Sequence, residues 1–511
     1  MTRTDRPRFG VAPRVHPDGA PPMVGWETSL VSVDGGSDWR ADGGDPSELS
    51  RGTSTALDRR IADEQALRRA PSVSAVVVRD GRMIWHGARG RIAGAVPSID
   101  TQYRIGSITK TVVAILVMRL RDEGELDLAD PLAIHIDGVP FGDRTIRQLL
   151  SHTGDLPEDP PGDWWERAPG RTWSELSHDL STVESAPPTG RTYRYSNVGY
   201  ALLGELIRRK RGADWAQVAR LEVLEPLGMR RTADRPVAPH ARGWSVHPWA
   251  DVVMPEPESA TGAMGAAGQL WSSVRDLCSI LAAIGGQAPD VLSPHTAAEM
   301  RAPAVIVDPD TWSTAYGLGI ELVRRDGRIL TGNVGSMPGF RAAAWLAVRE
   351  QVGAVVVANA TSGPEPAAVA ADLIAIVERH EPRRAEWTPL AEVDPALLSV
   401  TGVWYWGARP YALRLLHGPS LEVAPLTDGA DVASSAAATR FNRGPSGQWS
   451  GVDGPAAGET LHVAAQSDGR AGHLLLGTRV LTRTPYDPTA PVPGGLDATG
   501  WQGVDSSVTH R

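Results

Sequence analysis

The chain has 511 residues, 41% hydrophobic and 22% charged, a composition that excludes wholesale disorder and leaves room for two or three domains. A formal net charge of −9 without a basic stripe argues against nucleic-acid binding, and no apolar run approaches the ~20 residues of a membrane-spanning helix. The single cysteine, Cys278, excludes an internal disulfide and any cysteine-based metal cluster, and its place in an apolar helical run reads as core.

Residues 1–50 are rich in Gly, Pro, Asp and Ser and lack periodicity, so a disordered extension is expected there. Met1 to Pro22 carries no apolar signal-peptide core, which makes the cytoplasm the expected compartment. A helical pattern from Thr55 to Arg69 leads into Val73–Val78, the turn Asp80-Gly81 and Met83–His86, a strong hairpin signal. The strand-like run Gln102–Ile105 then gives way to an amphipathic helix bearing Val112, Val113, Ile115, Leu116 and Leu120, which Gly124 ends. A long helical and loop-rich stretch continues to Leu281, followed by strands at Ala342–Val348 and Val352–Ala358 and a helix at Ala367–Arg379.

Helix and hairpin at one end, with strands and helix at the other, predict an α+β domain over residues 51–385. Its antiparallel sheet would be flanked by the N- and C-terminal helices, with a large helical region inserted between them. Beyond Pro389 short alternating runs, Val403–Trp406, Tyr411–Leu416, Leu421–Ala424, Leu461–Ala464 and His473–Leu476, predict a small all-β barrel or sandwich over 390–486, then a flexible tail over 487–511.

Three short segments carry groups suited to chemistry. Ser107 and Lys110, in Gly106-Ser107-Ile108-Thr109-Lys110, are three residues apart at a helix start, so the amine can reach the hydroxyl where unpaired backbone N–H groups favour negative charge. Taken alone this spacing describes a capping serine and a solvated lysine far more often than a catalytic pair. Tyr195-Ser196-Asn197, just before the apolar run Val198 to Gly204, presents a phenol and an amide from a loop, or else a packed aromatic and a turn former. Gly332-Asn333-Val334-Gly335-Ser336-Met337-Pro338-Gly339 leads into a predicted strand, where glycines permit close backbone approach; a plain hairpin turn would also explain them.

In this order the three segments resemble the serine β-lactamase and DD-peptidase superfamily, with its Ser-x-x-Lys signature. More narrowly they resemble the group of class C β-lactamases, D-alanyl-D-alanine carboxypeptidases, D-aminopeptidases and related esterases, whose second motif is Tyr-x-Asn. Thr145-Ile146-Arg147-Gln148-Leu149-Leu150-Ser151-His152-Thr153-Gly154 and the stretch Gly265 to Leu277 support the likeness, which spans roughly residues 55–380. The resemblance implies a serine hydrolase that forms an acyl-enzyme on a small ester or amide, esterase-like or D-amino-acid peptidase-like. It implies that Ser107 attacks, that Lys110 takes its proton directly or through Tyr195, that Tyr195 helps deacylation and that Asn197 orients the acyl group. The backbone N–H groups of Ser107 and Ser336 would hold the oxyanion, with Gly335 beside them and Asn333 among the substrate-binding positions. The small β-domain resembles the lipocalin-like barrels appended to some relatives.

Asn333 departs from the pattern, because the third motif of these families begins with Lys or His. Without that cation the chain is expected to be a poor β-lactamase that prefers substrates lacking an obligatory carboxylate. Asn333 also motivates the alternative of a catalytically weak or inactive fold used as a binding or regulatory module. Arg341 reads as a surface strand charge before a replacement cation, His152 as a turn support before a base, and Trp164 and Trp165 equally as pocket wall or loop anchor. No metal-binding or phosphate-binding motif stands out, so no metal or cofactor is expected.

Overall fold

The computed structural model describes residues 49–184, 190–383, 387–417, 420–426, 437–465 and 471–485. The expected extension over 1–50 lies outside them except for its last two residues, and the expected tail over 487–511 lies wholly outside. The chain divides into two compact units, one ending at Arg383 and the other beginning at Arg384.

The first unit is built on an eight-stranded sheet in the order Arg82–Gly90, Ser72–Arg79, Val352–Ala358, Phe340–Ala347, Arg328–Met337, Glu321–Arg325, Thr314–Tyr316 and Val305–Ile306. Every pairing is antiparallel. Asp80 and Gly81 both take positive φ, 50° and 73°, the twist that a two-residue hairpin turn needs. Alternate residues of the central strands face opposite ways. Val73, Ala75 and Val77 meet one core with Leu57, Ile61, Leu373 and Ile374 of the helices Arg51–Leu67 and Pro366–His380. Val76 and Val78 meet a larger core on the other face, built around the helix Thr109–Asp122. The strand Arg328–Met337 divides in the same way, with Leu330 and Val334 on the helix-pair side and Met337 on the other.

Two features around the serine segment differ from the sequence expectations. Only Tyr103–Arg104 of the run Gln102–Ile105 is strand, paired with Trp271–Ser272 away from the main sheet, because Gly106 at φ 52° turns the chain at once. The helix Thr109–Asp122 is not half-buried: eleven of its fourteen residues are buried, Lys110 among them, since the helices Asn197–Arg211 and Gly265–Gly268 also pack on it. Ser196 caps the first of these by accepting the Gly199 N–H, and Gly212 at φ 68° ends it.

The second unit contains a closed barrel of eight antiparallel strands from Gly402–Trp406 to Arg479–Thr482. Trp404, Leu413, Leu421, Phe441, Leu461, Leu474 and Leu481 fill its interior. Trp404 donates its indole N–H to the Val400 carbonyl at 2.8 Å, satisfying the one polar atom that its burial would otherwise strand.

Candidate active site

Ser107 lies in the single tight turn Gly106–Ile108 that runs into the helix Thr109–Asp122. Two glycines bring a second strand against it. A side chain on Gly335 would meet the Ile105 carbonyl at 1.9 Å and the Ser107 nitrogen at 2.9 Å, and one on Gly106 would meet the Ser336 nitrogen at 2.5 Å. Backbone therefore touches backbone, and the Ser107 and Ser336 main chains sit side by side as an oxyanion site requires.

Lys110 has no exposed surface, and its amine is held by three acceptors: Ser107 Oγ at 3.0 Å, Asn197 Oδ1 at 2.7 Å and the Ala267 carbonyl at 2.8 Å. Burial pushes the amine down to about 7, against the opposing pull of the Glu166, Asp159 and Glu158 carboxylates. Near neutral pH a substantial fraction is therefore uncharged, with a lone pair able to take the Ser107 proton.

Tyr195 donates its phenol hydrogen to Ser107 Oγ at 2.7 Å, and Lys110 Nζ stands 4.8 Å from its ring centre. Burial holds this phenol well above its ordinary range, so it stays protonated. His152 supports the loop that carries it. Its Nδ1 accepts the Ser196 N–H at 3.1 Å, its carbonyl accepts the Arg194 N–H at 2.8 Å, and its ring lies 4.4 Å from that of Tyr195. Burial keeps the imidazole neutral, which fits a support better than a base.

Asn197 joins two parts of the site. Its Oδ1 faces Lys110, while its Nδ2 donates to Asp159 Oδ1 at 2.8 Å, the oxygen that also accepts the Trp165 indole N–H at 2.7 Å. Trp165 is thus a buried anchor, whereas Trp164 is 57% exposed under the Arg167 guanidinium.

Ser107, Lys110, Tyr195 and Asn197 are linked by hydrogen bonds, and Gly335 and Ser336 lie against the serine turn. Asn333 joins none of these hydrogen bonds. It is buried, donates Nδ2 to Thr111 Oγ1 at 3.3 Å and to the Gly319 carbonyl at 3.4 Å, and accepts the Val334 N–H at 3.0 Å. A neutral amide at this position is absorbed into the packing between strand and helix. Arg341 points elsewhere too, donating to the Pro364 carbonyl at 2.6 Å and pairing with Glu365 at 3.3 Å.

Sequence reasoning missed Asp159 and the Ala267 carbonyl. One signal was available for Lys110: the chain contains only two lysines, Lys110 and Lys210, against 49 arginines. Among the described residues no group of His, Cys, Asp and Glu side chains could hold a metal ion, and no helix is long and apolar enough to cross a membrane.

Residues 57–379, more than half of the chain, match the sequence profile of the Beta-lactamase family. The chain belongs to that family. Residues 393–483 match a domain of unknown function, DUF7586. Relatives of this Beta-lactamase family chain include Beta-lactamase-like protein 2 of Dictyostelium discoideum, 26% identical over 49% of this chain and 48% of that protein. Esterase EstB of Burkholderia gladioli is 32% identical over 33% of this chain and 48% of its own length. The chain thus spans about half the length of each of these two relatives. Among solved structures, a D-stereospecific amidohydrolase from Streptomyces sp. is similar over 65% of this chain and 98% of its own, at 26% identity and a TM-score of 0.52. These likenesses support the β-lactamase fold.

Proposed function

We propose that this chain is a serine hydrolase that forms an acyl-enzyme at Ser107 on a small ester or amide. The observation that carries this reading is the fully buried Lys110 amine, 3.0 Å from Ser107 Oγ and lowered to about 7. Lys110 takes the hydroxyl proton as Ser107 Oγ attacks the substrate carbonyl, and the oxygen of that carbonyl becomes an anion facing the Ser107 and Ser336 N–H groups. Tyr195, protonated, hands its phenol proton toward the leaving group and is recharged from Lys110. The reverse sequence, with water in place of the leaving group, releases the acid. Asn197 holds Lys110 in place and orients the acyl portion.

A substrate that is esterase-like or D-amino-acid peptidase-like is favoured by the esterase and the D-stereospecific amidohydrolase among the similar proteins. The neutral, buried Asn333 gives a substrate carboxylate no cation at the third motif, which disfavours β-lactams and peptides ending in a free carboxylate. The binding-module alternative is opposed by the hydrogen bonds linking Ser107, Lys110 and Tyr195, an arrangement a pure binding fold has no need to keep.

Mass spectrometry after incubation with a fluorophosphonate tests the nucleophile: one adduct at Ser107 is expected, lost in Ser107→Ala. Absence of any adduct at Ser107 would remove the proposal. Steady-state rates on p-nitrophenyl esters, D-amino-acid amides and nitrocefin then test the substrate class, with nitrocefin expected to be the poorest. Nitrocefin turnover exceeding ester turnover would contradict the argument from Asn333.

A further inference from the structure

An asparagine amide can sit either way round, and at Asn197 the choice matters. With Oδ1 toward Lys110 the amide accepts one of the amine's hydrogens and leaves the lone pair of the neutral amine for Ser107. Turned over, its NH2 would repel the charged amine and donate to the lone pair of the neutral one, competing with the Ser107 hydroxyl.

The surroundings make that choice at a single atom. Asp159 Oδ1 accepts Asn197 Nδ2 at 2.8 Å and Trp165 Nε1 at 2.7 Å; a carboxylate has no hydrogen to give, so the NH2 of Asn197 must face it. The carbonyl of Glu158 fixes the same residue through its backbone, accepting the Asn197 N–H at 2.7 Å. Trp165, 7% exposed, holds that same carboxylate oxygen through its indole N–H.

We propose that Asp159 is a positioning residue of this site: its carboxylate selects the orientation of the Asn197 amide and so decides where Lys110 holds its hydrogens relative to Ser107. The inference deepens the serine-hydrolase reading and rests on its assignment of Lys110 as base. The groups facing Lys110 are the carboxylates of Glu158, Asp159 and Glu166, the rings of Tyr195 and Tyr200 at 4.8 and 5.6 Å, and the neutral His152, with Ser107 on its own turn. Asp159 is the one among them that is also bonded to Asn197 through a side chain.

The lysine content permits a test that needs no substrate. Full-length protein grown with lysine labelled at Cε should show two side-chain NMR signals, from Lys110 and from the half-buried Lys210, whose amine donates to the Glu125 carbonyl at 2.7 Å and which serves as the internal reference. In Asp159→Ala the midpoint of the Lys110 titration should fall by about half a pH unit or more, since a nearby carboxylate is gone and the amide is free to turn. Lys210 should not move.

Asp159→Asn matches the native side chain in shape and guards against a folding failure. It should lower the midpoint as well, but keep an acceptor for Asn197 and so retain more reactivity. The rate of fluorophosphonate labelling at Ser107 should fall roughly tenfold or more in Asp159→Ala, and less in Asp159→Asn, with the acid limb moving to lower pH in both. Titration midpoints and labelling rates equal to wild type in both variants would overturn the proposal. So would equal losses of labelling in the two variants with an unmoved Lys110 midpoint, the result of a merely structural role. Failure of the wild type to label would instead strike the serine-hydrolase reading, while the NMR titration still decides whether Asp159 governs Lys110.

Discussion

At the scale of single residues, a chain with 49 arginines keeps lysine at position 110, where the proposed mechanism needs a neutral amine. Arginine cannot do so near neutral pH. Lys110→Arg is therefore expected to reduce fluorophosphonate labelling of Ser107 by ~10²-fold or more, and retention of wild-type labelling would show that the amine is not the base. In the wild type the labelling rate should rise with pH through about 7, where Lys110 loses its proton. The same shift governs stability. Because the folded value lies below the ordinary 10.5, the unfolded chain binds more protons between about 7 and 10.5, so the native state gains stability as pH rises through that window. Compared with Lys110→Met, the wild-type melting temperature should climb from pH ~6 to ~10, and a constant difference would contradict the burial argument. Ser107 and Lys110 were legible because their relation is local, one turn of chain. Asn333 was legible as a departure, but its inward course depends on the strand that carries it. Asp159 gave no signal, since it sits between Pro157 and Pro160 in a loop without a period.

At the scale of elements, the site depends on a strand passing a turn at backbone contact. Gly335→Ala would drive a methyl into the Ile105 carbonyl, and displacement of one segment should cost about 1–3 kcal/mol and slow Ser107 labelling together. Denaturant unfolding and labelling of the same variant check this, and a variant with native stability and native labelling would refute the close approach. The strands rich in valine and alanine, Ser72–Arg79 and Val352–Ala358, were readable from their side chains. Arg328–Met337 was not, because Gly332, Asn333 and Gly335 favour turns, and it is the ladder with Phe340–Ala347 that extends them. Only Pro338 and Gly339, the latter at φ 82°, belong to the turn.

At the scale of the whole molecule, each unit has its own apolar interior, so the first should stand alone. A fragment ending at Arg383 is expected to unfold cooperatively and to label at Ser107 within about threefold of the full chain, as calorimetry and mass spectrometry would show. Loss of either property would mean that the barrel supports the site. Alternation along the chain revealed the strands of the second unit but left barrel and sandwich open. What decides is the pairing of its first and last strands at Tyr405 and Thr482, a contact too distant in sequence to leave a local mark. In the first unit, the strand that brings Gly335 beneath Ser107 also sends Leu330 and Val334 into the core behind the sheet. Any lineage that repacks that rear core to survive heat or cold will nudge the same strand, and so retune its chemistry without altering a reacting group.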